Sequence, residues 1–223
     1  MSGGVFSRLR EPFSGSPRPI LRPGRLKVMG GGCPAARCRD ADRVGCPKLD
    51  MTTADPLKRI PFLYHFTDRR NVDLIRKLGG LYPLAELRRK GIQVPAPGGN
   101  EWSWDADGIK GFDEFVHLCF RATHPMEHAA RVDGRIADSI FLMVHADVLQ
   151  WDGVLFTPDV ANKSGVKAYP INEAAEMIDY EVLYTRTDWK NAAIQQRLQQ
   201  AEKCEVLVPR LIPLEMIRNF PHG

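Results

Sequence analysis

Apolar residues are distributed along this chain in two periods, and the switches between them outline a mixed α+β domain. Pro61-Phe62-Leu63-Tyr64-His65-Phe66-Thr67-Asp68 alternates apolar and polar positions and predicts a short strand. Apolar residues at 72, 74, 75 and 78 then predict a helix, started by Asp68 and Asn71 and stopped at Gly79-Gly80. A second short helical run is expected over 81–91, followed by a loop from Val94 to Asn100 that continues through Trp102 and Trp104 to Gly111. Strands are expected at 115–120, 139–144, 154–157 and 204–209, with 139–144 apolar enough to be buried on both faces. Helices are expected from Pro125, over 171–177 and over 189–203, with a short last element at 213–217. Tyr180 and Trp189 are expected in the core. Strands and helices do not alternate as βαβ units, so the pattern predicts α+β rather than a doubly wound sheet.

The first fifty residues lack either period. They are rich in Gly, Pro, Arg and Ser and are expected to form a disordered or miscalled N-terminal extension (1–50), with Met51 a plausible true start and 51–223 the folded domain. The 223-residue chain has a net charge of +4, yet residues 1–50 alone carry +6 and the remainder −2. The folded part is therefore no general polyanion binder, and nucleic acid would need a local patch. Five cysteines exclude a complete intramolecular disulfide set. Cys33, Cys38 and Cys46 lack paired C-x-x-C spacing, and the histidines at 117, 124, 128 and 145 lack a metal-ligand spacing, so no metal is expected. With no apolar run long enough for a bilayer, no membrane partner and a cytoplasmic location are the expectation.

Two places carry candidate chemistry. The first strand ends in His65 and Thr67 beside a helix start, which favours an anion such as a pyrophosphate; the alternative is a strand histidine that bonds locally. Glu205 stands at the mouth of the apolar strand 206–208, either an exposed strand-end residue or a deliberately held charge.

Taken in order, these blocks resemble the DarT family of DNA-modifying ADP-ribosyltransferase toxins. Tyr64-His65-Phe66-Thr67 with Asn71 resembles its H-x-T and following Asn. Arg88-Arg89 before Val94-Pro95 and Gly98-Gly99 resembles its arginine-bearing loop. Phe115 to Phe120 with Pro125-Met126, then Phe156-Thr157, Asp179-Tyr180-Glu181 and Trp189, and finally Lys203-Cys204-Glu205-Val206-Leu207-Val208, complete the series. Lys203-Cys204-Glu205 replaces the usual Gln-Ala-Glu, which would let Lys203 pair with Glu205, and the terminal strand is shortened or absent. The resemblance implies an ADP-ribosyltransferase-like fold with a split central β-sheet, NAD as co-substrate, and transfer of ADP-ribose to a base in single-stranded DNA. Thymidine is favoured and guanosine is the other acceptor of such enzymes. It implies Glu205 and Arg89 as catalytic residues and His65, Thr67 and Asn71 as the cofactor-binding set. An antitoxin with a macrodomain or related ADP-ribosyl hydrolase is the implied partner. From residue type, Phe120, Arg121 and Met126 are DNA-binding candidates, with Trp102, Trp104, Arg131 and Arg135 behind them. The alternatives are an RNA or protein acceptor on the same fold, or an inactive nucleotide-binding module. An RNA 2′-phosphotransferase would need a second histidine and further arginines in the cleft. Cys119 and Cys204 are expected as buried thiols without an activating partner.

Overall fold

The computed structural model describes residues 55–221. The extension 1–50, the start at Met51 and the cysteines at 33, 38 and 46 therefore lie outside the described residues. Fifteen elements follow one another: β1 (Phe62–Asp68), α1 (Val72–Leu78), β2 (Gly80–Leu81), α2 (Leu84–Arg89), α3 (Glu101–Lys110), β3 (Val116–Cys119), α4 (Pro125–Val132), β4 (Ser139–His145), β5 (Leu155–Thr157), β6 (Tyr169–Pro170), α5 (Ile171–Ala174), α6 (Tyr180–Tyr184), α7 (Ala192–Ala201), β7 (Glu205–Val208) and β8 (Ile212–Pro213).

A six-stranded sheet runs β4-β1-β3-β7-β5-β6, and β2 pairs separately with β8. Each residue of β1 pairs with one of β4, and β3 pairs along its length with β7. Between them, β1 and β3 share the single register pair Tyr64 with Cys119. The sheet is thus split at this seam. The strands part here, which leaves backbone groups without a ladder partner and opens room for a cleft.

The core gathers on both halves: Leu63, Leu118, Leu142 and Phe156 are almost wholly inaccessible. All four residues of β7, including Glu205, are buried, as a central strand requires. Gly79 closes α1 in the left-handed conformation (φ 79°), and Gly80 must be glycine because a Cβ would collide with the Ile212 carbonyl of β8.

Four expectations need correction. Residues 101–110 form a helix: the Asn100 side chain accepts from Ser103 N (2.9 Å) and Ser103 Oγ from Asn100 N (2.9 Å), a reciprocal cap that outweighs the weak apolar period. Strand β4 is an edge strand, so Leu142 and Val144 are buried while their neighbours on the other face stay half-exposed. Trp189 stands 70% exposed beside Lys190, although Tyr180 is in the core. The 3-10 turn of residues 69–71 that leads into α1 already holds an anion of the chain's own. Buried Asp68 accepts from Arg70 N (2.8 Å), Arg70 Nε (2.8 Å) and Ala137 N (2.8 Å). The Arg70 guanidinium, with these backbone donors, holds its carboxyl far below the usual range. At the far end, Ile217 bridges to Val144 and Arg218 N donates to Met143 O (2.9 Å).

Candidate active site

The parted strands line a cavity of about 250 Å³ whose walls include His65, Thr67, His117, His124, Met126 and Glu205. Among the described residues, no lysine or arginine lines it.

One wall comes from β1. His65 Nδ1 donates to the His117 carbonyl (3.0 Å), one of the groups freed where β1 and β3 diverge. A carbonyl only accepts, so this tautomer leaves Nε2 as an acceptor, and burial lowers the pKa and keeps the ring neutral. Buried Asn71 uses its whole amide on the protein. Its Nδ2 donates to Thr67 Oγ1 (3.0 Å) and Ala96 O (2.8 Å), and its Oδ1 accepts from Ala96 N (2.9 Å). Asn71 thereby fixes the 94–100 loop against β1 and leaves the Thr67 hydroxyl its own proton to donate.

The opposite wall is ionic. Antiparallel pairing sets Cys119 and Thr157 on either side of Glu205, and His117 lies diagonally across from it on β3. Glu205 Oε2 receives His117 Nδ1 at 2.7 Å, and Oε1 accepts from Ala161 N at 3.2 Å. The second ring nitrogen of His117 faces the Phe112 carbonyl at 3.1 Å. Both nitrogens therefore face acceptors, and His117 is an imidazolium. Burial opposes its charge, but the hydrogen bond and charge of Glu205 prevail and push it up to about 9. Burial likewise disfavours the Glu205 carboxylate, and His117 overrides this and lowers it, so Glu205 is ionised at neutral pH. His124 caps α4 by accepting from Met126 N (3.3 Å), so its proton sits on Nε2, 3.5 Å from Glu205 Oε1. Burial keeps that ring neutral despite the pull of Glu205.

Of the residues singled out in the sequence, His65, Thr67, Asn71, Met126 and Glu205 meet at this cavity. Trp104 lines it as well, whereas Arg89, Phe120, Arg121, Trp102, Arg131 and Arg135 do not. Arg89 is exposed and forked onto Glu114 (NH2 to Oε2, 2.9 Å), whereas its neighbour Arg88 lies over Trp104, a cavity-lining ring, at 5.0 Å from the centroid. Phe120 is 1% exposed and packs on Phe156, so it presents no free face to a base. Arg121 is part-exposed, 3.6 Å from Glu202. Glu205 is no exposed strand end, and its ion-pair partner is His117 rather than Lys203. Burial raises both free thiols, Cys204 to about 12 and Cys119 further, which makes them inert. Among the described residues, no group of three His, Cys, Asp or Glu could hold a metal, and no helix is long and apolar enough to cross a membrane.

Two further cavity-lining residues with ionisable side chains, His117 and Asp107, carry no chemical reading in the sequence. Histidine two residues before Cys119 is an ordinary inward strand position; its role depends on the register with β7, which no local pattern carries. Asp107 was hidden inside a segment taken for a loop.

A split antiparallel sheet with a buried glutamate across the seam from an H-x-T strand defines an ADP-ribosyltransferase fold. The family model described as "ssDNA thymidine ADP-ribosyltransferase, DarT" matches residues 64–220, and the chain belongs to that family. A solved structure of Thermus sp. 2.9 DarT in complex with ADP-ribosylated ssDNA is similar, with a TM-score of 0.53 at 15% identity, over 71% of this chain and 79% of that one. Thermosipho africanus DarTG in complex with ADP-ribose gives 0.52 at 21% identity, over 70% of this chain and 42% of that one. These likenesses establish the fold. No curated protein matches the sequence.

Proposed function

We propose that this protein transfers ADP-ribose from NAD to thymidine in single-stranded DNA and acts as a toxin, its mark removed by an antitoxin with a macrodomain or related ADP-ribosyl hydrolase. The observation that carries this reading is Glu205, a buried carboxylate held ionised by His117 across the cavity from His65 and Thr67. Family membership supports the acceptor class, and the solved relatives above hold ADP-ribose and ADP-ribosylated DNA.

The donor set fits a dinucleotide's reactive end. The His65 Nε2 lone pair and the Thr67 hydroxyl suit the hydroxyls of the nicotinamide ribose, and Asn71 holds Thr67 in place. As the bond from C1′ to nicotinamide lengthens, positive charge grows at C1′. A fixed carboxylate stabilises that charge more than the uncharged ground state, which is the condition for rate acceleration. Because His117 and Ala161 already hold Glu205, little reorganisation is needed at that moment. Among the described residues no lysine or arginine lines the cavity, and the one cation there, His117, is engaged by Glu205, so the phosphates belong at its rim. Arg88 and Arg89 stand on α2 there, and Arg89 would serve by exchanging Glu114 for a phosphate. Met126 from inside the cavity and Arg121 from outside it would position the DNA strand.

The second histidine that an RNA 2′-phosphotransferase calls for has a counterpart in His117 or His124, but among the described residues no arginine lines the cavity. That observation favours DNA. Purified protein, NAD and short single-stranded oligonucleotides of thymine only, guanine only and RNA, read by mass spectrometry, test the proposal. An ADP-ribose increment on the thymine strand, lost in Glu205→Ala, is expected. An increment confined to guanine or RNA would reassign the acceptor, and no increment on any strand would refute the proposal.

A further inference from the structure

Helix α3 brings a second carboxylate into the cleft. Asp107 lines the same cavity as Glu205, and its Oδ1 is buried without a hydrogen-bond partner. The charged groups acting on it are His117 from β3, Glu205 from β7, Asp113 from the turn after α3, and Lys110 on its own helix. Lys110 is anchored elsewhere, its Nζ donating to the carbonyls of Ala161 (2.6 Å) and Lys163 (2.5 Å). Asp107 is therefore a carboxylate of the cavity lining, with one oxygen withdrawn from solvent and left unpartnered.

Such an oxygen answers a chemical need. Once N1 of thymine is bonded to the sugar, its one remaining N–H is at N3. The N3 lone pair is delocalised into the flanking carbonyls, so N3 attacks carbon only as its proton leaves. Glu205 is poorly placed to take that proton: one oxygen receives His117 and the other Ala161 N. Its ionisation is stabilised by His117, and a stabilised carboxylate is a weaker base.

We propose that Asp107 is the proton acceptor for the incoming base, an assignment that rests on the transfer reaction proposed above. The N3–H proton passes to Asp107, and the N3 electron pair forms the bond to C1′. The bond from C1′ to nicotinamide breaks with its electrons on the nicotinamide nitrogen, which leaves as the neutral amide, and Asp107 then releases the proton to solvent. Burial pushes Asp107 up, partly offset by His117 and reinforced by Glu205, to about 6. A base that titrates just below the working pH is both ionised and basic enough to act. The two carboxylates thus divide the work: one is kept ionised to stabilise charge, the other kept basic to move a proton.

The test compares wild type, Asp107→Asn and Asp107→Glu. NAD affinity and single-turnover transfer are measured on a thymine strand and on a strand carrying 5-fluorouracil, whose N3–H is more acidic. Asp107→Asn is expected to bind NAD within about threefold of wild type and to transfer to thymine about 100-fold more slowly. The acid limb of its pH profile should vanish, and its deficit should shrink on the fluorinated base. Asp107→Glu should keep transfer with a displaced acid limb, which decides the matter if the amide variant fails to fold. Transfer by Asp107→Asn within about threefold of wild type, an equal deficit on both bases, or an unmoved limb in Asp107→Glu would overturn the assignment alone. A wild type that modifies no oligonucleotide would overturn the functional proposal and this assignment together.

Discussion

The two walls of the cleft are built on opposite principles. The β1 wall consists of neutral groups locked by short-range bonds: Asn71 ties Thr67 to the 94–100 loop, and His65 is neutral and fixed to a backbone carbonyl. The β3–β7 wall, with Asp107 added from α3, consists of charges that set one another's protonation: His117 pushed up, Glu205 pulled down, Asp107 raised to about 6. One wall shapes a binding surface; the other holds the means to change bonds. Substitutions on the first should cost stability and binding, and those on the second should cost turnover with the fold intact.

Glu205→Gln is the sharpest cut. It keeps the shape and removes the charge, so transfer should fall about 1,000-fold in single-turnover assays while NAD affinity changes only a few-fold. Asn71→Ala should do the reverse. It orphans the Ala96 amide and carbonyl, and a thermal melt should show a loss of about 2 kcal/mol with the 94–100 loop opened to proteolysis. NAD affinity should drop with it.

Asp68 offers a control outside the cleft. Asp68→Ala removes the buried acceptor shared by the Arg70 guanidinium and the Ala137 and Asp138 amides and should cost about 2 kcal/mol. Because the folded carboxyl lies below its unfolded value of about 4, this stabilisation is present above that pH and disappears as acid protonates it. Wild type and variant should therefore converge in an acid titration. The smallest effect is expected from Arg89→Ala: the melting temperature should not move, and NAD affinity should weaken a few-fold, less so at high salt.

The same contrast explains what was legible in the sequence. The β1 wall was readable because its parts are adjacent: a period-two strand, an Asn four residues after a Thr, a glycine stop. The charged wall was only half readable. Glu205 stood out as an acid at the head of an apolar strand, but His117 reaches it across 88 residues through a register that the chain does not announce. Helix α3 lacks a strong apolar face, although its cap, Asn100 with Ser103, was written in plain view. Phe120 looked like a stacking surface and proved to be core, because an aromatic beside a strand says nothing about which side of the sheet it will occupy.

The central claim is that Glu205 acts while a protonated His117 holds it, and the pH dependence of single-turnover transfer to a thymine strand tests it most directly. Wild type should rise with an apparent pKa near 6 as Asp107 ionises and fall near 9 as His117 loses its proton, these values belonging to the coupled group rather than to single residues. His117→Gln should be slower by about tenfold or more at neutral pH and should lose the alkaline limb. An alkaline limb that survives in His117→Gln, or a neutral-pH rate equal to wild type, would contradict the account.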